Sequence, residues 1–99
     1  MARLIEFSRR FTNQLQKTLT FYDERNGSDA YSRRFLVCLL EDVNRIAKTP
    51  TLGGPSSRPD VRFIYLMGFT IIYRYNSQRV TFLSIRSSAR KPLKVYMRN

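Results

Sequence analysis

A block of turn-forming residues, Thr51–Asp60, divides the chain into two parts with different hydrophobic periods, and this constrains the fold more than any other feature. The block holds Gly53, Gly54, Pro55, Ser56, Ser57 and Pro59, residue types that punctuate regular structure. Ahead of it, apolar side chains recur at helical spacing. Phe11, Leu15, Leu19 and Tyr22 make one face of a helix from Arg9 to about Arg25, with Ser8 positioned as its N-cap. Asn26-Gly27-Ser28 interrupts the pattern, and Gly27 suits a left-handed C-cap. A second helix, capped by Ser28 or Asp29, is predicted to run to about Lys48. Its wide stripe of Tyr31, Phe35, Leu36, Leu39, Leu40, Val43, Ile46 and Ala47 fits packing against both a sheet and a partner helix. Thr49-Pro50 stops it, because a residue before proline disfavours helical geometry.

Behind the block the period changes to two. Val61–Tyr65, Phe69–Tyr75 and Arg79–Ile85 read as strands, separated by Met67-Gly68 and Asn76-Ser77-Gln78 at hairpin-like distances. A further short strand is expected at Arg3–Phe7. The third run is ambiguous: Val80 and Phe82 alternate with Leu83 and Ile85, so either set could meet the core. The order β-α-α-β-β-β predicts an α+β fold with a helical hairpin on one face of a small antiparallel sheet. Too little chain lies on either side of the turn block for two cores, so residues 1–99 are expected to form a single domain.

Charge narrows the function. The chain carries 18 Lys+Arg against 7 Asp+Glu and has no histidine. Residues 1–57 hold nine basic and six acidic side chains (+3); residues 58–99 hold nine basic ones and only Asp60 as an acid (+8). Such a field draws polyanions. At 42% hydrophobic residues the chain is too apolar for a disordered basic tail. No apolar run reaches the length of a membrane helix. Met1-Ala2-Arg3-Leu4-Ile5-Glu6 lacks the apolar stretch of a signal peptide, which predicts a cytoplasmic protein. With one cysteine, Cys38, and no histidine, no zinc site is expected, nor any other metal or cofactor. Hydrolases that pair serine or cysteine with an imidazole base are excluded.

The chemistry-bearing candidates are Arg58, Arg62, Arg74, Arg79, Arg86, Arg90, Lys91, Lys94 and Tyr96. Arg62 and Arg74, on neighbouring strands, are expected on the sheet face away from the helices, with Tyr65, Tyr73 and Tyr75 on the other. A cationic face with aromatics nearby suits single-stranded RNA; the plainer alternative is a solvated face that keeps the domain soluble. Ribonuclease chemistry without histidine needs a base, an acid and fixed cations, roles open to Tyr96, Lys91, Lys94 and Arg90. Other features have simple readings. Cys38 sits among leucines as a buried thiol, Asp23-Glu24 and Glu41-Asp42 diverge around helices as surface charge, and Gly53-Gly54-Pro55 is a turn without the lysine of a phosphate loop.

Taken in order, Thr49-Pro50-Thr51-Leu52-Gly53-Gly54-Pro55, Val61-Arg62, Gly68-Phe69-Thr70-Ile71-Ile72-Tyr73-Arg74-Tyr75, Arg79-Val80-Thr81-Phe82-Leu83-Ser84-Ile85 and Ala89-Arg90-Lys91-Pro92 resemble the RelE/ParE toxin superfamily of bacterial type II toxin–antitoxin pairs. The resemblance implies one of two activities. RelE-like members cut mRNA in the ribosomal A site with basic residues and a C-terminal tyrosine; ParE-like members poison DNA gyrase and lack that set. It implies Arg62, Arg90, Tyr96 and Lys94 as a catalytic set, with Arg58, Arg74, Arg86 and Lys91 binding RNA. Arg58 stands where RelE-like nucleases tend to carry lysines, and Ser87 where related sequences often carry histidine. The implied partners are the ribosome and mRNA, or alternatively gyrase, together with an antitoxin whose acidic or amphipathic segment wraps the helices. Charge favours the mRNA endonuclease on this reading. A degenerate toxin kept only for antitoxin binding is the third alternative.

Overall fold

The computed structural model describes residues 2–87. Strand β1 (Leu4–Phe7) leads into helices α1 (Arg9–Asn26) and α2 (Ala30–Lys48); a 3-10 turn (Pro50–Leu52) and strands β2 (Gly54–Pro55), β3 (Val61–Leu66), β4 (Phe69–Tyr75) and β5 (Arg79–Ser87) follow. The strands form one sheet in the order β1-β5-β4-β3-β2. The expected β-α-α-β-β-β order and α+β architecture are present, with two additions. Strand β1 joins the meander parallel to β5, Leu4 opposite Arg79 and Phe7 opposite Phe82. Strand β2, within the segment read as a turn, pairs antiparallel with β3 at Phe63 and Arg62. No helix among the described residues is long and apolar enough to cross a membrane.

The helix ends follow from their residues. The Ser8 hydroxyl accepts the Phe11 amide at 3.0 Å and donates to the Leu83 carbonyl at 2.9 Å, capping α1 while fastening it to β5. Gly27 closes α1 at φ 68°, its amide donating to Asp23 O, a left-handed geometry that only glycine adopts without strain. Asp29 occupies the cap position of α2 but makes no side-chain cap bond; its carboxylate pairs instead with Arg33 at 3.1 Å. Replacing Ser8 with alanine removes both hydroxyl bonds and is expected to cost about 1 kcal/mol, seen as a lower urea midpoint with an unchanged m-value.

Phe11, Phe35, Leu39, Val43, Ile46, Ala47, Leu66, Phe69, Ile71, Tyr73, Val80, Phe82 and Ile85 form the core between the helices and one sheet face. Leu15, Leu19 and Tyr22 complete the α1 face at its edge, and Cys38 packs there half-buried. Leu40, expected inside, is exposed. A β-bulge resolves the ambiguous third strand. Tyr73 lies opposite Phe82 while Ile72 lies opposite Ser84, leaving Leu83 as the extra residue. The slip moves Ile85 onto the face of Val80 and Phe82, so all three are buried. Gln14 of α1 accepts the Ile85 amide at 2.8 Å, holding the irregular segment. The β3–β4 connection is the two-residue turn Met67-Gly68, with φ 47° and 87°, the primed-turn geometry that matches strand twist.

Candidate partner-binding surface

A two-residue hairpin fixes which β3 and β4 side chains share a face. It sets Val61 against Arg74, Arg62 against Tyr73, Phe63 against Ile72 and Tyr65 against Thr70. Facing residues on paired strands point the same way, and here odd positions always face even ones. Arg62 and Arg74 therefore lie on opposite faces of the sheet, correcting the expectation that they project together. The tyrosines divide as well. Tyr73 and Tyr75 share the helix side with Arg62, while Tyr65 lies on the open side with Arg74.

On the helix side, Arg62 belongs to a buried arrangement around Tyr73. The Tyr73 hydroxyl donates to Pro50 O at 2.5 Å and accepts the Gly53 amide at 3.0 Å. The Arg62 guanidinium donates to Gly53 O at 2.7 Å, and its Nε is buried without a partner among the described residues. Gly53 has an ordinary extended backbone, φ −72°, so glycine is required for space alone. A Cβ there would press into the Tyr73 hydroxyl and come within 2.8 Å of Phe63 O. Tyr73 and Arg62 thus hold the segment that leaves α2 against the sheet.

Burial raises the Tyr73 phenol above its usual 10.0; the Gly53 amide and the Arg62 charge pull the other way, and Tyr75 adds to the rise. Tyr31 is raised by burial and then by its neighbour Tyr22. Both groups hold their protons more tightly folded than unfolded. Their stabilising contribution is complete below pH 10 and is lost as the pH climbs through the raised folded values. The melting temperature is therefore expected to fall as the pH rises above 10; a profile that stays flat there would contradict the assignment.

The open face differs from the basic carpet that the sequence led us to expect. Its centre is apolar: Val61, Phe63 and Ile72, with buried Thr70, floor a pocket of about 220 Å³ rimmed by Ser56, Ser57 and Arg58, with Arg62 also at its border. Phe63 and Tyr65 stack edge-to-face beside it, ring centroids 5.4 Å apart. The rim is held by Ser56, whose hydroxyl donates to Val61 O at 2.7 Å and accepts the Arg58 amide at 3.1 Å. The cations lie around this centre. Arg58 makes a long, exposed contact to Asp60 at 3.4 Å, and Arg79 pairs with Glu6 at 2.8 Å. Arg74 and Arg86 are exposed on the same face, Arg86 opposite Thr70. Of the residues singled out for catalysis and RNA binding, the open face brings together Arg58, Arg74 and Arg86. Arg90, Lys91, Lys94 and Tyr96 lie outside the described residues. Neither the pocket nor the Tyr73–Gly53 lock was anticipated; the alternating Val61, Phe63 and Tyr65 against Ile72 was the available signal for the pocket.

The model of the ParE toxin of type II toxin–antitoxin systems matches residues 5–92. The chain belongs to the ParE toxin family. It is thereby a member of the RelE/ParE superfamily and a toxin of the type II toxin–antitoxin class. No sequence among curated proteins matches it. A structure of the chromosomal ParDE system from P. aeruginosa superimposes with a TM-score of 0.72 at 19% identity, covering 87% of this chain and 96% of that one. The E. coli DinJ–YafQ toxin–antitoxin complex follows at 0.52 and 17% identity, covering 90% and 96%. At those identities the two structures establish the shared fold.

Proposed function

We propose that this toxin acts by binding, as a ParE-like poison of DNA gyrase, and that a cognate antitoxin with an acidic or amphipathic segment neutralises it. The observation that carries this reading is the place of Arg62. Arg62, expected in the catalytic set, is instead spent on Gly53 O at 2.7 Å, on the sheet face opposite Arg74 and Arg86. The open face offers instead an apolar pocket with a cationic rim, the composition of a protein-binding surface. Membership of the ParE family supports the same reading, and the similarity to two toxin–antitoxin structures supports the antitoxin partner.

The mRNA endonuclease remains a second reading, favoured by the +8 charge of residues 58–99 and the pull of such a field on RNA. Purified components separate the two. Toxin added in stoichiometric amounts is expected to block supercoiling of relaxed plasmid by DNA gyrase and to leave ribosome-bound mRNA whole. Cut mRNA with supercoiling undisturbed would overturn the proposal.

A further inference from the structure

The open-face pocket has three properties of a site built before its occupant arrives. Its floor is apolar, with Val61, Phe63 and Ile72 only half-buried, so a ligand gains by covering them. Its rim is fixed, because Ser56 bonds to Arg58 and Val61 across the loop and the Asp60 carbonyl accepts the Tyr75 amide at 3.0 Å. A preformed rim avoids the ordering cost that weakens mobile sites. The surroundings are cationic. Arg58, Arg74, Arg79 and Arg86 stand on this face against Glu6 and Asp60.

We propose that this pocket is the anchor socket for the toxin's protein target, receiving one large apolar side chain from a segment whose flanking residues are Asp or Glu. The volume, about 220 Å³, suits a single side chain and is too small for a folded helix. The apolar tip covers Val61, Phe63 and Ile72, and the flanking carboxylates meet Arg58 and Arg74. Arg74 makes no ion pair among the described residues and is open to a new partner. An acidic flank also confers selectivity, since a basic segment with the same apolar tip is repelled by the rim and a neutral one gains no attraction from it. A nucleic acid is the poorer occupant, because its phosphates gain nothing from the apolar floor of Val61, Phe63 and Ile72.

The inference rests on the gyrase-binding reading, and the test is arranged to separate the two. Supercoiling by DNA gyrase holoenzyme is titrated with wild-type toxin, with Val61→Trp, which fills the pocket, and with Arg58→Glu, which reverses the charge of an exposed rim residue and leaves the core untouched. Thermal melting checks that each variant is folded. Both variants are expected to require at least about tenfold more toxin for half-inhibition, and the Arg58→Glu deficit should shrink as salt is raised. Equal inhibition by wild type, Val61→Trp and Arg58→Glu overturns the socket and leaves the gyrase proposal standing. A Val61→Trp variant that inhibits fully but sediments as a monomer where the wild type is a dimer assigns the pocket to a second copy, and also overturns it. Wild-type toxin that leaves gyrase untouched overturns the proposed function, and the socket with it. Should Val61→Trp fail to fold, Arg58→Glu alone decides the matter.

Discussion

Replacing Tyr73 with phenylalanine is expected to cost about 2–4 kcal/mol of folding free energy, although only one oxygen is removed. That oxygen serves two buried backbone groups, donating to Pro50 O and accepting from Gly53 N. Without it both lose their partner away from water, and an unsatisfied buried group costs about 1–3 kcal/mol. The ring itself stays and still packs on Phe82, 5.6 Å between centroids. A urea titration measures the effect: the midpoint falls while the slope stays constant. A Tyr73→Phe midpoint equal to wild type would mean that water reaches Pro50 and Gly53. The segment concerned supplies β2, which borders the open face, so the variant should also loosen the pocket rim. Hydrogen exchange at Gly54 and Phe63 would report that loosening.

Phe82→Ala is expected to be costlier still, about 3–5 kcal/mol. Phe82 is 0% exposed and lies within 6 Å of three other rings: 5.6 Å from Phe7, 5.9 Å from Phe11 and 5.6 Å from Tyr73. It thus joins β1, α1 and β4 at one point. Truncation opens a cavity that these elements close only partly, and ring-to-ring contacts are lost with the buried area. For a domain of this size each kcal/mol corresponds to about 4–8 °C in melting temperature, so a fall of more than about 12 °C is predicted. The bulge beside it sharpens the expectation. Leu83 is out of register, and Ser8 and Gln14 hold the backbone there through single hydrogen bonds that cannot follow a collapsing core. A variant that melts within a few degrees of wild type would show that the aromatic cluster repacks freely.

Those elements whose cause is local were legible in the sequence. Ser8 and Gly27 bound α1 as expected because capping depends on a few neighbouring atoms, and Pro50 ends α2 for the same reason. The strands other than β2, which lies in the segment read as a turn, were legible from alternation. What depended on the pairing of distant residues was not. The bulge at Leu83 leaves no mark in a period-two pattern, so the inward set of β5 was undecidable. The opposite placement of Arg62 and Arg74 follows from register, set by the length of the Met67-Gly68 turn, and side chains alone do not reveal it. Gly53 looked like a turn glycine; its reason is the Tyr73 hydroxyl, twenty positions away in the chain. Leu40 matched the helical stripe but is exposed, because the stripe of α2 is wider than the surface the sheet and α1 can cover. On the site, charge drew attention to the C-terminal half, yet the apolar floor of Val61, Phe63 and Ile72 between the arginines went unread.

The difference matters for function, because a basic face and a basic-rimmed apolar pocket recruit different partners. RNA is held by phosphates and stacked bases; a protein target is held by a desolvated anchor with charge around it. The arginine pattern alone cannot separate these, but the side chains between the arginines can. The central claim is that the toxin acts on gyrase by binding. Its most direct test follows DNA and RNA together in cells after toxin induction. Gyrase–DNA cleavage complexes should accumulate and a DNA-damage response begin while mRNA stays intact through the first minutes; codon-phased mRNA cuts with gyrase undisturbed would contradict the account.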